Sequence, residues 1–128
     1  RLKIDPATPS LGNSFVVDWR FRGRSRRIEH LEITIEGREE ATYQKGTDSR
    51  TDTEIFARIL VADARHELEI ARGSGHVRIP DDTMHSFAGD HNRIVWAVKL
   101  HGAITRWPDV DEEFEIPVRP RPVQASAR

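Results

Sequence analysis

Six histidines, His30, His66, His76, His85, His91 and His101, are the side chains here best suited to hold a metal or move a proton. No two of them stand at i, i+2 or i, i+4, the spacings that offer a ready pair of imidazole ligands on one strand or helix face. His85 and His91 lie in the stretch from Asp81 to Asn92, which a loop can fold so that they converge. Zinc would then take a third ligand from His76 or Asp90, giving a metal or hydrolase site. The plainer reading is loop and surface imidazoles, with no metal and no cofactor expected.

A second cluster follows Trp107. Asp109, Asp111, Glu112 and Glu113 place carboxylates beside an aromatic ring, the pairing that glycoside hydrolysis uses. That chemistry needs two carboxyls at a set separation in a cleft, whereas a turn feeding a solvated strand face needs only solvent. Trp107 and Asp109 could instead bind a carbohydrate or small ligand by stacking and hydrogen bonding. Trp19 and Trp96 fall in phase with apolar neighbours and are expected in the core. The densest positive run is Arg20, Arg22, Arg24, Arg26 and Arg27, with Arg24 and Arg26 as candidate anion contacts. The competing reading of that run is a solvated turn balanced by nearby acids such as Glu29 and Glu32.

Composition narrows the classes. The chain has 128 residues, with Lys+Arg 20 against Asp+Glu 21 and a formal net charge of -1. A general nucleic-acid surface would be more basic, so no nucleic-acid partner is expected. With Cys 0, disulfide scaffolds, thiol nucleophiles and cysteine-held metals are excluded. No apolar run approaches the roughly 18 residues of a membrane span. The chain starts at Arg1 with neither Met nor a hydrophobic signal segment and is expected to be a fragment or a processed chain.

The elements that must position these residues are legible as alternation. Phe15, Val17, Trp19 and Phe21 alternate with Asp18 and Arg20, and Leu31, Ile33 and Ile35 with Glu32 and Thr34. Ile94, Trp96, Val98 and Leu100 form the longest row; Val77 and Ile79, and Phe114, Ile116 and Val118, form others. Period 2 means a strand with one buried face. Leu68 and Ile70, between Glu67 and Glu69, are read the same way. Residues 54–62 fit a strand or a helix, and the β neighbours favour the strand. Gly and Pro clusters separate the rows, Gly73–Gly75 among them as a turn. The expected fold is all-β: an antiparallel two-sheet sandwich of about 8–9 strands over residues 1–119, with a flexible tail at 120–128. Glu40 to Lys45 is expected as a short polar edge strand.

Two stretches, LGNSFVVDWRF with RRIEHLEITIEGREE and GSGHVRIPDDTMHSFAGDHNRIVWAVKLHGAI, resemble the arrestin-like, immunoglobulin-like sandwich. The matching positions are Ile79-Pro80, Ser86-Phe87 and Ile94 to Leu100, with Trp96 where the family usually has Tyr. The resemblance implies that Phe87 folds back as a plug at one end of the sandwich. The closing RWPDVDEEFEIPVRP resembles the tail of bacterial membrane-associated proteins of unknown function whose soluble part has this fold. The resemblance therefore implies a non-enzymatic interaction or scaffold domain, held near the inner membrane by a segment outside this chain. Its partner would be a protein or another domain of the same polypeptide, met at a sheet edge or at loops.

Overall fold

The computed structural model describes residues 2–21 and 28–121. Among the described residues the strands are β1 (Leu2–Asp5), β2 (Ser14–Arg20), β3 (Ile28–Lys45), β4 (Asp48–Ala64), β5 (Arg72–Arg78), β6 (Phe87–Ala88), β7 (Asn92–Ile104) and β8 (Val110–Ile116). A single turn of helix, α1 (Glu67–Ala71), carries the chain from β4 to β5. One sheet has the order β1-β2-β5. The other runs β4-β3-β7-β6, and β8 also pairs with β7. Every strand pair is antiparallel. The expected two-sheet antiparallel sandwich is the fold of this protein.

Alternation delivers the core. Phe15, Val17, Trp19 and Val77 come from the first sheet. Leu31, Ile33, Ile35, Ile94, Trp96, Val98 and Leu100 come from the second. Such rows on facing sheets interdigitate and remove apolar area from water at about 25 cal/mol per Å². The ends are tied by backbone bonds: Leu11 N–H donates to Arg119 O at 3.0 Å, and Arg119 N–H donates to Pro9 O at 2.9 Å. Val118 N–H donates to Ser86 Oγ at 2.8 Å, which fixes the exit of β8.

Four local expectations are corrected. Leu68 and Ile70 lie on α1, not on a strand. Two residues two apart on a helix point to nearly opposite sides, so Ile70 is buried while Leu68 is exposed. Glu40 to Lys45 is the continuation of β3, paired throughout with β4, so the edge strand is β4 itself. The two strands close through Gly46, φ 67°, in a two-residue turn between Lys45 and Asp48, where glycine suits the primed turns of hairpins. Phe87 sits exposed on β6 opposite Ile94 and plugs nothing.

Gly73–Gly75 is the fourth, a stretch of β5 and not a turn. The reason lies across the sheet, where Gly73 pairs with Trp19. A Cβ on Gly73 would stand 2.2 Å from Trp19 Cζ2, so the indole occupies the space a side chain would need. The ring is held there because Trp19 Nε1–H donates to Glu69 O at 3.1 Å. Gly73→Ala is therefore expected to destabilise by about 1–3 kcal/mol, the range for overpacking. The check is a lower urea midpoint with unchanged m-value and altered Trp fluorescence. Equal stability with an unmoved spectrum would show that the ring yields freely.

Candidate functional site

The outward face of the five-stranded sheet carries the densest organised chemistry among the described residues. Strand β3 supplies Glu32, Glu36, Arg38 and Glu40, and β7 supplies Arg93, Lys99 and His101. Strand β4 supplies Arg58 and Asp63, and β8 supplies Asp111, Glu113 and Glu115. Period 2 sets this face: Leu31, Ile33 and Ile35 point into the core, so the charges between them point away. A bulge on β4, where Phe56 is the extra residue opposite Gly37 and Arg38, leaves β3 in phase, so Arg38 and Glu40 stay on the outward face.

Arg38 is the hub. Its Nη1 and Nη2 donate to the two carboxylate oxygens of Glu113 at 2.6 and 2.9 Å. Nη1 also donates to Glu36 Oε2 at 3.0 Å, and Nε donates to Glu40 Oε2 at 2.7 Å. Glu36, 2% exposed, further meets Arg58 Nη2 at 3.4 Å and Lys99 Nζ at 3.5 Å. Arg93 Nε donates to Glu40 Oε1 at 2.7 Å and its Nη2 lies 3.5 Å from Glu115. The cations Arg38, Arg58, Arg93 and Lys99 thus face the carboxylates Glu36, Glu40, Glu113 and Glu115, and the lattice is neutral.

Proton affinities follow from these contacts. Bonds from Arg38 hold the Glu113 carboxyl below the usual carboxylate range, although burial opposes them. Burial pushes Glu40 up, but the bonds from Arg38 and Arg93 outweigh it and leave it lowered. Glu113 chiefly holds the Arg38 proton more tightly than usual, against its partial burial. Carboxylates locked in this ionised state accept hydrogen bonds at neutral pH and do not donate protons. This arrangement suits recognition better than acid–base catalysis.

At one end of the face, Asp63, Glu32, His101 and Asp111 stand in register across β4, β3, β7 and β8. His101 Nδ1 is 2.6 Å from Asp111 Oδ1, and its Nε2 is 3.3 Å from Asp109 Oδ2. Asp111 raises the imidazole above its ordinary value, with Asp109 and Glu32 adding to it. A shallow open groove of about 410 Å³ runs between Thr34, Arg58, Lys99, His101, Asp111 and Glu113.

The residues singled out in the sequence are spread over the molecule. Trp107 is 63% exposed in the turn after β7, while Trp19 and Trp96 are buried, as their phase predicted. Asp109 joins the charged face through His101. His85 Nδ1 lies 2.8 Å from Ser86 O. His91 contributes its carbonyl, which accepts from Thr42 N–H at 2.7 Å. Arg24 and Arg26 lie outside the described residues, as does most of the 120–128 tail. The Arg38 lattice escaped the sequence reading. Its signal was the run Glu32, Glu36, Arg38 and Glu40 on the outward phase of an unusually long strand, matched by Arg93 and Lys99 on β7.

Among candidate membrane crossings, no helix of the described residues is long and apolar enough. Comparison with protein-family models and with curated proteins finds no match. Comparison with solved structures finds the sporulation control protein Spo0M from Bacillus subtilis, at 12% identity and a TM-score of 0.58. The similarity covers 94% of this chain and 49% of that one, so the present chain spans about half the length of its structural neighbour. At this identity the likeness carries the fold and nothing further, and that fold is an arrestin-like β-sandwich.

Proposed function

We propose that this chain is a non-enzymatic interaction domain that receives an extended segment of a protein partner along the β4 edge of its five-stranded sheet. The observation that carries the reading is the position of β4. It spans Asp48–Ala64, pairs with β3 on one side, and stands last in its sheet. An added strand would satisfy its outer N–H and C=O groups, and side-chain pockets would set specificity. Arg50, Asp52 and Glu54 charge the first half of the edge, which discourages indiscriminate pairing. The stretch Ile55–Leu60 has Arg58 as its one charge, and Ile55 and Leu60 are exposed on it, before Val61 packs against Gly75 of β5. A scaffold role is compatible with the control function of Spo0M, a sporulation control protein of the same fold. Membership of a larger membrane-associated bacterial protein rests on the resemblance of RWPDVDEEFEIPVRP alone.

Photo-crosslinking tests the reading. A photoreactive residue at position 58, between Ile55 and Leu60 on β4, is expected to join a defined partner segment, and one at position 3 on the other sheet is not. Ile55→Lys with Leu60→Lys should abolish the crosslink while leaving the melting temperature within a few degrees, as expected for exposed positions. Crosslinks confined to Lys3, or unaffected by the double change, would overturn it.

A further inference from the structure

His30, Glu32 and Asp63 form a group that the histidine spacing did not reveal. His30 and Glu32 are two apart on β3 and so share the outward face. Asp63 is the cross-strand partner of Glu32 on β4. One nitrogen or oxygen from each of the three lies within 4.8 Å of the others. His30 Nε2 and Asp63 Oδ1 are already 2.5 Å apart, facing one another across the seam between the strands. His30 and Glu32 are partly buried, and Asp63 reaches solvent.

We propose that His30 Nε2 and the carboxylates of Glu32 and Asp63 bind a divalent first-row transition ion, with zinc the best fit. One imidazole and two carboxylates are a common donor set for this ion, and three protein ligands leave a position for water. Calcium and magnesium fit poorly, because they demand oxygen ligands throughout. The ion would sit between His30 Nε2 and Asp63 Oδ1 in place of their direct contact. Two ligands sit on β3, which is paired on both sides by β4 and β7, so the strands rather than a loop set the geometry. The positive charges nearest this group include Arg65, whose Nε is 3.9 Å from Asp63, and it can swing away from this exposed contact. The proposal does not depend on the β4-edge reading, since its ligands can be tested with the metal alone.

The experiment uses tag-free protein, zinc chloride or cobalt chloride, and titration calorimetry near neutral pH. The chain holds no cysteine, so the competing ligands are the other histidines and the acids. One ion per chain is expected, with visible d–d bands for cobalt that zinc quenches and magnesium does not. His30→Gln, Glu32→Gln and Asp63→Asn should each weaken binding by about tenfold or more, at least the loss seen when a supporting residue is removed. His85→Gln with His91→Gln should leave it unchanged. Wild-type NMR gives an independent reading if a variant fails to fold: zinc should shift the His30 Nε2 resonance first. No saturable binding, unaltered affinity in Asp63→Asn, or loss of the ion in the His85/His91 double variant would overturn the proposal.

Discussion

Replacing Arg38 by methionine should lower the free energy of unfolding at neutral pH by about 3 kcal/mol. That is the lower end of the range for removing one partner of a buried ion pair. The change leaves Glu36 buried and takes the two-pronged bond from Glu113 and the Nε bond from Glu40. The lower end applies because Arg58 and Lys99 still stand within 3.5 Å of Glu36. Arg38→Lys should lose less, since it keeps the charge and forfeits the fork. Urea denaturation checks both. Removing Glu36, Arg38 and Glu113 together for apolar residues should cost less than the sum of the single changes, because burying ions is itself expensive.

The same lattice sets an acid limb. Glu113 and Glu40 have folded pKa values below 4.5. A lowered carboxyl contributes stability that is fully present above its unfolded value and lost as pH falls through the folded one. Wild-type stability should therefore fall as pH drops below about 4.5, the carboxyl reference value. Arg38→Met should flatten that limb in part, because it removes the bonds that lower Glu113 and one of the two that lower Glu40, the bond from Arg93 remaining. An unchanged slope in the variant would show that other carboxyls govern acid unfolding.

Trp96→Ala should cost about 3–5 kcal/mol, the range for emptying a large aromatic site in a core. Trp96 is fully buried at the centre of the longest strand row. Phe56 stacks edge-on against it at 5.4 Å, and its Nε1–H donates to Met84 O at 2.7 Å. The cavity would open beneath Gly37, whose missing side chain makes room for both rings: a Cβ there would lie 2.8 Å from Phe56 and 3.0 Å from Trp96. Trp96→Phe should lose less, mainly through the carbonyl of Met84 left without its donor, about 1–3 kcal/mol. Thermal unfolding followed by calorimetry separates the two. A loss below about 1 kcal/mol for alanine would mean that the core collapses around the gap.

The strands were legible because alternation is a local property with a single physical cause. Phe15, Val17 and Trp19, or Ile94, Trp96 and Val98, show it within a few residues. Leu68 and Ile70 imitated a strand because two residues cannot separate period 2 from period 3.6. The glycines of β5 imitated a turn because their partners, Trp19 and Val61, lie far away in sequence. The edge of the sheet falls on β4 and not on Glu40–Lys45 because pairing order depends on contacts across the whole sheet.

By itself the sequence determined an all-β chain with two buried tryptophans, an exposed one and no cysteine chemistry, since side-chain type and period act locally. Only the tertiary structure decided which charges meet. Asp63 faces Glu32 across 31 positions, and Glu113 reaches Arg38 across 75, through strand register alone. Register is fixed by the summed packing of both sheets and by the bulges near Ile33 and Gly37. No local pattern encodes that sum, so the ion lattice and the His30–Glu32–Asp63 group emerge only when the sheets are assembled.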